Sequence, residues 1–167
     1  KRGWVIALAH CRGGGEGGIA WHRAAIKERK TKSLADVNSV VDALLERGYS
    51  SPGLVAMQAF SAGGLLLGGM LNTRPGLFVA AVAHAPFVDM LTTATDPSLP
   101  LTVHEYDEWG EPGREPKALR TIASMCPYRN CSGAAGEPVP AVMVTCALDD
   151  TRVPFWGPAK WVARLQK

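Results

Sequence analysis

The chain has 167 residues, 47% hydrophobic and 20% charged, with a formal net charge of +3. That composition fits one globular domain with a sizeable core and argues against disorder. The charge excess is mild, and the basic residues gather between Arg23 and Lys32 rather than among aromatics, so nucleic-acid binding is not expected.

Trp4 to Ala9 (WVIALA) is a continuous apolar run of strand length, the pattern of a strand buried on both faces. It leads into His10-Cys11-Arg12-Gly13-Gly14-Gly15-Glu16-Gly17-Gly18, whose glycines let the backbone approach another segment closely. This loop lacks the lysine and hydroxyl of a phosphate loop and the order of a dinucleotide fingerprint, so no nucleotide cofactor is expected. Ser33 and Asp36 read as the cap and first-turn carboxylate of a helix. Its Leu34, Val37, Val41, Leu44 and Leu45 share one face, and Gly48 ends it.

Ser51-Pro52-Gly53 turns the chain into a strand from Leu54 to Phe60, and Ser61 follows at its carboxyl end. Ala59, Ala62, Gly63 and Gly64 keep the surroundings of Ser61 small, as a chain needs when it passes from strand to helix on one residue. This is the spacing of a nucleophile elbow, G-x-S-x-G, with Ala59 in place of the first glycine. An ordinary turn with Ser61 as a helix N-cap uses the same residues, and both readings stand at this point. Ala62 to Asn72 then reads as a helix closed before Pro75, and Phe78 to Ala85 as a second buried strand. After a long polar, proline-bearing excursion, Val139 to Ala147 is a further strand and delivers Leu148-Asp149-Asp150-Thr151-Arg152. An amphipathic helix starts near Pro158.

Strands alternating with helices predict a parallel sheet covered on both faces, with the chemistry outside the carboxyl ends of the strands. Ser61 and the Asp149/Asp150 pair occupy such ends, in the order nucleophile then acid expected of an α/β-hydrolase. The histidine that should follow does not come before Lys167. His10, His22, His84 and His104 all precede the acid, and none is assigned as base; His84, in an apolar strand, is expected to be a hydrogen-bonded core residue. Cys11, Cys126, Cys131 and Cys146 form no C-x-x-C pair and read as free thiols of a reducing compartment. Cys126 and Cys131 lack the second ligand pair of a zinc site, so no metal is expected. With no signal-peptide core and no apolar span of bilayer length, the expected location is cytoplasmic, away from membranes. The first residue is not methionine and strand-like sequence begins almost at once, as in a piece of a longer chain.

Several stretches, in order, resemble the catalytic domain of the prolyl oligopeptidase family of serine peptidases, within its oligopeptidase B and prolyl endopeptidase-like branches. They are Ala9 to Glu16, Gly48 to Pro52, Ser61-Ala62-Gly63-Gly64-Leu65-Leu66, Asp96 to Thr102, Glu108-Trp109-Gly110 and Asp150-Thr151-Arg152-Val153. The resemblance implies a partial α/β-hydrolase fold over residues 1–167, without the family's β-propeller and its histidine segment. It implies that Ser61 is the nucleophile, that Asp150 rather than Asp149 is the triad acid, and that the Ala62 N–H forms half of the oxyanion hole. The other half, a tyrosine hydroxyl in the family, would lie upstream of Lys1. Arg152 matches an arginine that holds a carbonyl of the bound peptide, and Glu105 and Asp107 match two carboxylates that hold a substrate lysine or arginine. Taken alone, the segment His104 to Glu108 reads rather as a solvated acidic face, and it is the resemblance that turns it into a substrate site.

The leading expectation is a serine oligopeptidase that cleaves short peptides after basic residues, with no cofactor. Ala-Phe-Ser-Ala-Gly-Gly is the form seen in the prolyl endopeptidase-like branch, associated with ester or thioester cleavage, and leaves that alternative open. A non-catalytic hydrolase-like adaptor is the other class, disfavoured by an intact serine and acid. The sequence does not set the oligomeric state.

Overall fold

Three parallel strands carry the structure: β1 (Val55–Phe60), β2 (Phe78–His84) and β3 (Ala141–Thr145), side by side in that order. The computed structural model describes residues 3–131 and 139–167. Helices α1 (Gly18–Arg23) and α2 (Thr31–Glu46) precede β1, and α3 (Gly63–Thr73) joins β1 to β2. The excursion between β2 and β3 folds into α4 (Met90–Thr95), α5 (Tyr106–Trp109) and α6 (Pro116–Met125); its stretch 132–138 lies outside the described residues. Helix α7 (Trp156–Leu165) follows β3.

The core lies on one face of the sheet. Helix α3 is apolar on all sides, so it is buried on all sides, with Leu65, Leu67, Met70 and Leu71 inside. Val37 and Val41 of α2, Ala81 and Ala83 of β2, and Trp161 of α7 close around it. Each large side chain buried there contributes about 1.5–3 kcal/mol. A second cluster, with Leu65, Met90, Trp109, Ile122 and Met125, packs the excursion over the carboxyl ends of the strands.

Within the described residues one face of the sheet is left open. Ala56, Gln58 and Phe60 of β1 and Met143 and Thr145 of β3 point away from the core and are exposed, Phe60 to 70%. Among the described residues, helices α2, α3 and α7 all pack into the core on the opposite side. His84 lies in this open row rather than in the core. Its ring nitrogens bond Gln58 (3.2 Å) and Thr145 (2.9 Å), one on each neighbouring strand.

Trp4 to Ala9 is corrected: it forms no strand among the described residues, and Trp4, Val5, Ile6 and Leu8 are exposed. A strand exists only by pairing. A groove of about 730 Å³, lined by Trp4, Leu8, Leu44, Leu54 and Met57, separates this segment from β1. The Ser33 cap is corrected as well. Helix α2 begins at Thr31, so Ser33 is already helical and buried, and its hydroxyl donates to the Arg12 carbonyl at 2.6 Å. Asp36 is turned to the glycine loop instead of the helix end, accepting from the Arg12 amide and from its guanidinium Nε, each at 2.9 Å. Cys11, Cys126, Cys131 and Cys146 are free thiols, with Cys126 and Cys131 buried and Cys146 exposed. Among the described residues no helix is long and apolar enough to cross a membrane.

Candidate active site

The chain leaves β1 and enters α3 within three residues, and Ser61 takes the whole bend at φ +51°. A non-glycine residue in that left-handed region is strained and persists only where its surroundings hold it. Here the Ser61 amide donates to the His84 carbonyl at 2.9 Å, continuing the β1–β2 ladder, while its own carbonyl accepts from Phe87 and Gly64, both at 2.9 Å. Gly64 is required by crowding, since a Cβ there would stand 2.5 Å from Cβ of Pro86 and 2.8 Å from its Cα. Ala59 fits beside the turn: a Cβ on Gly63 would lie 3.4 Å from the Ala59 methyl, so the smallness at one position accommodates the methyl at the other.

Ser61 and Ala62 line a narrow cleft of about 50 Å³ together with Phe87, Glu105, Trp109 and Arg152. Ala62 immediately precedes the first residue of α3, where backbone N–H groups have no acceptor within the helix. Such a donor beside the serine can meet an oxyanion.

Asp150 follows β3 at the same end of the sheet. One of its oxygens accepts from the amides of Arg152 (2.8 Å) and Val153 (2.9 Å). The Val153 amide, then the Arg152 amide, hold its carboxyl below the usual range, so it is ionised at neutral pH. This turn also aims Arg152 and Val153 at the cleft, which both residues line.

Glu105 and Asp107 are not brought together. Glu105 lines the cleft, and one of its oxygens accepts the Trp109 indole N–H at 2.7 Å. Asp107 is 106% exposed and faces Lys27 at 3.7 Å. They are two apart at the start of a single helical turn, and residues at that spacing do not share a helix face. The next carboxylate, Glu108, bonds His22 at 2.8 Å and pairs with Lys30.

The histidines are committed elsewhere or distant. His10 faces Glu16 at 3.4 Å, His22 bonds Glu108, His84 bonds its sheet neighbours, and His104 is exposed. Among the described residues no histidine is bonded to Ser61. Sequence reasoning missed Lys30 and the use made of Trp109. Lys30 lies in a basic run that reads as solvated, yet its side chain is only 11% exposed. Trp109 was visible only as part of a short motif. Among the described residues no cluster of side chains could hold a metal ion.

The model of the prolyl oligopeptidase family matches residues 1–167. Prolyl endopeptidase-like protein of Xenopus laevis is 42% identical over 167 residues, covering 100% of this chain and 23% of the relative. Dipeptidyl aminopeptidase BI of Pseudoxanthomonas mexicana is 42% identical over 165 residues, 99% of this chain and 22% of that protein. Among solved structures, oligopeptidase B from Leishmania major superposes with a TM-score of 0.88 at 42% identity, covering 94% of this chain and 21% of that one. The likeness carries the α/β-hydrolase fold. The chain spans less than a quarter of the length of these relatives.

Proposed function

Because the chain belongs to the prolyl oligopeptidase family, we propose that its 167 residues are part of the catalytic domain of a serine hydrolase acting on short peptides. The observation that carries this reading is the strained turn at Ser61, which opens on a cleft shared with Glu105 and Arg152.

In this reading the Ser61 hydroxyl attacks a peptide carbonyl while a histidine takes its proton. Among the described residues no histidine is positioned for that step, and in this reading the base comes from outside them. Asp150, ionised and fixed by two backbone amides, orients that histidine and stabilises its charged form. The Ala62 N–H meets the oxyanion, and the amine leaves with the proton returned by the histidine. Water then attacks the Ser61 ester and frees the acid. Arg152, with several donors in a rigid fork, holds a backbone carbonyl of the substrate.

Glu105 favours a lysine or arginine before the cleaved bond. One of its oxygens is held by Trp109 and the other is available for a charge-assisted bond. Asp107, outside the cleft, adds only solvent-screened attraction. The free thiols support a reducing, cytoplasmic setting. A second reading, ester or thioester cleavage, is favoured by Ala59 in the elbow and by likeness to proteins named prolyl endopeptidase-like.

The test uses the full-length protein. Rates are measured on matched short peptides with Arg, Pro or Leu before the bond, and on a short thioester, each against Ser61→Ala. Arg-selective cleavage that Ser61→Ala abolishes supports the peptidase reading. Thioester turnover without peptide cleavage supports the second, and no Ser61-dependent turnover overturns both.

A further inference from the structure

Lys30 is the one residue of the basic run whose charge is drawn inside. Its side chain is 11% exposed, its ammonium pairs with Glu108, and it lies 4.7 Å from the centroid of the Trp109 ring. A desolvated ammonium is stable only with such compensation, a carboxylate on one side and an aromatic face on the other. Lys30 also sits under the glycine loop. A Cβ on Gly13 would stand 3.0 Å from the Lys30 nitrogen and 2.8 Å from the Ala25 carbonyl, and Gly13 itself has φ +92°. Three separate segments therefore meet at this one ammonium: the glycine loop, the entry to α2, and α5.

Trp109 connects that meeting point to the cleft. Its ring packs against Phe87 at 5.7 Å between centroids and is nearly buried, while its indole N–H holds Glu105 at 2.7 Å. Phe87, Glu105 and Trp109 all line the cleft at Ser61. We propose that Lys30 is a positioning residue for substrate selection: by clamping Glu108 and the Trp109 ring together it fixes the indole N–H on Glu105. This commits one Glu105 oxygen to the protein and leaves the other for a substrate cation. The inference rests on the reading of Glu105 as the group that selects a basic side chain.

Two roles for Lys30 predict opposite signs. A positive charge near the cleft that acted only through its field would repel a cationic substrate, so removing it would improve Arg peptides. A clamp predicts the reverse, because a loosened Trp109 lets Glu105 turn away.

In the full-length protein, kcat and KM are measured for matched Arg and Leu peptides in wild type, Lys30→Met, Lys30→Arg, Trp109→Phe and Glu105→Gln. The expected result for Lys30→Met is a fall of about tenfold in the Arg-over-Leu ratio of kcat/KM, carried mainly by KM. Lys30→Arg retains a cation over the ring and recovers part of the ratio. Trp109→Phe keeps the ring but loses the N–H, and lowers the ratio even if Lys30→Met does not fold. A ratio unchanged or raised in Lys30→Met, or unchanged in Trp109→Phe, while Glu105→Gln lowers it, overturns the clamp and leaves the reading of Glu105 standing. A ratio unchanged in Glu105→Gln overturns that reading and the clamp with it.

Discussion

Asp89 and Lys160 pair across the excursion and the last helix, Oδ2 to Nζ at 2.5 Å, with the Asp89 side chain 2% exposed and that of Lys160 39%. The Lys160 ammonium also lies 4.8 Å from the centroid of the Tyr128 ring, outside α7, so the helix is pinned by charge and by an aromatic face together. Lys160→Met leaves the buried carboxylate uncompensated. The expected loss is roughly 3 kcal/mol, the low end for a broken buried pair because the lysine is partly solvated. Chemical denaturation of the full-length protein checks it, and a loss below about 1 kcal/mol would show that solvent already screens the pair.

Gly64→Ala is expected to disable the serine more than it harms folding. The added methyl meets the backbone and ring of Pro86, and relief requires moving the residues that hold Ser61. Overpacking of this kind costs about 1–3 kcal/mol. Labelling of Ser61 by a fluorophosphonate should fall steeply while the melting temperature changes by a few degrees, and labelling at the wild-type rate would contradict the argument.

Asp36 gives the fold an acid-side dependence. The Arg12 guanidinium, aided by the Arg12 amide, holds the Asp36 carboxyl below its ordinary value of 3.8. A depressed carboxylate pKa gives stability that is fully present above the unfolded value and is lost as pH falls through the folded one. Wild type should therefore lose stability below about pH 4. Asp36→Asn should be less stable at neutral pH and lose less over that acid range. Melting temperatures from pH 7 to pH 2.5 check this, and parallel curves would sink it.

The open face of the sheet predicts behaviour for the 167-residue piece expressed alone. Phe60, Met143 and the edge of β1 present apolar surface and unpaired strand to solvent. Self-association and no Ser61-dependent turnover are expected, with Phe60→Ser plus Met143→Lys reducing the association. Size-exclusion chromatography reads it, and a monodisperse monomer of the unmodified piece would contradict it.

How much of this was legible in the sequence depended on where each signal lived. The three paired strands and the turn at Ser61 were readable because short apolar runs bounded by small residues have few alternatives. Trp4 to Ala9 has the same composition as those strands, yet composition cannot report whether a neighbour is there to pair with. Ser33 and Asp36 had the spacing of a helix start, but their partner, Arg12, lies more than twenty residues upstream, beyond any local pattern. The same holds for Lys30 and Glu108, whose pairing joins residues 78 apart in the sequence. The alternation of Glu105 and Asp107 looked like a paired site only while the local backbone was unspecified; one helical turn sends them in different directions.

The left-handed backbone at Ser61 bears on how such a site can be lost. Glycine would occupy that conformation without the steric penalty of a side chain, which is on the order of 1 kcal/mol. Ser61→Gly therefore removes the nucleophile while relaxing the fold, so inactivation at this position runs downhill in stability. Selection for thermal tolerance alone would drift toward glycine here. Keeping the hydroxyl requires selection on chemistry.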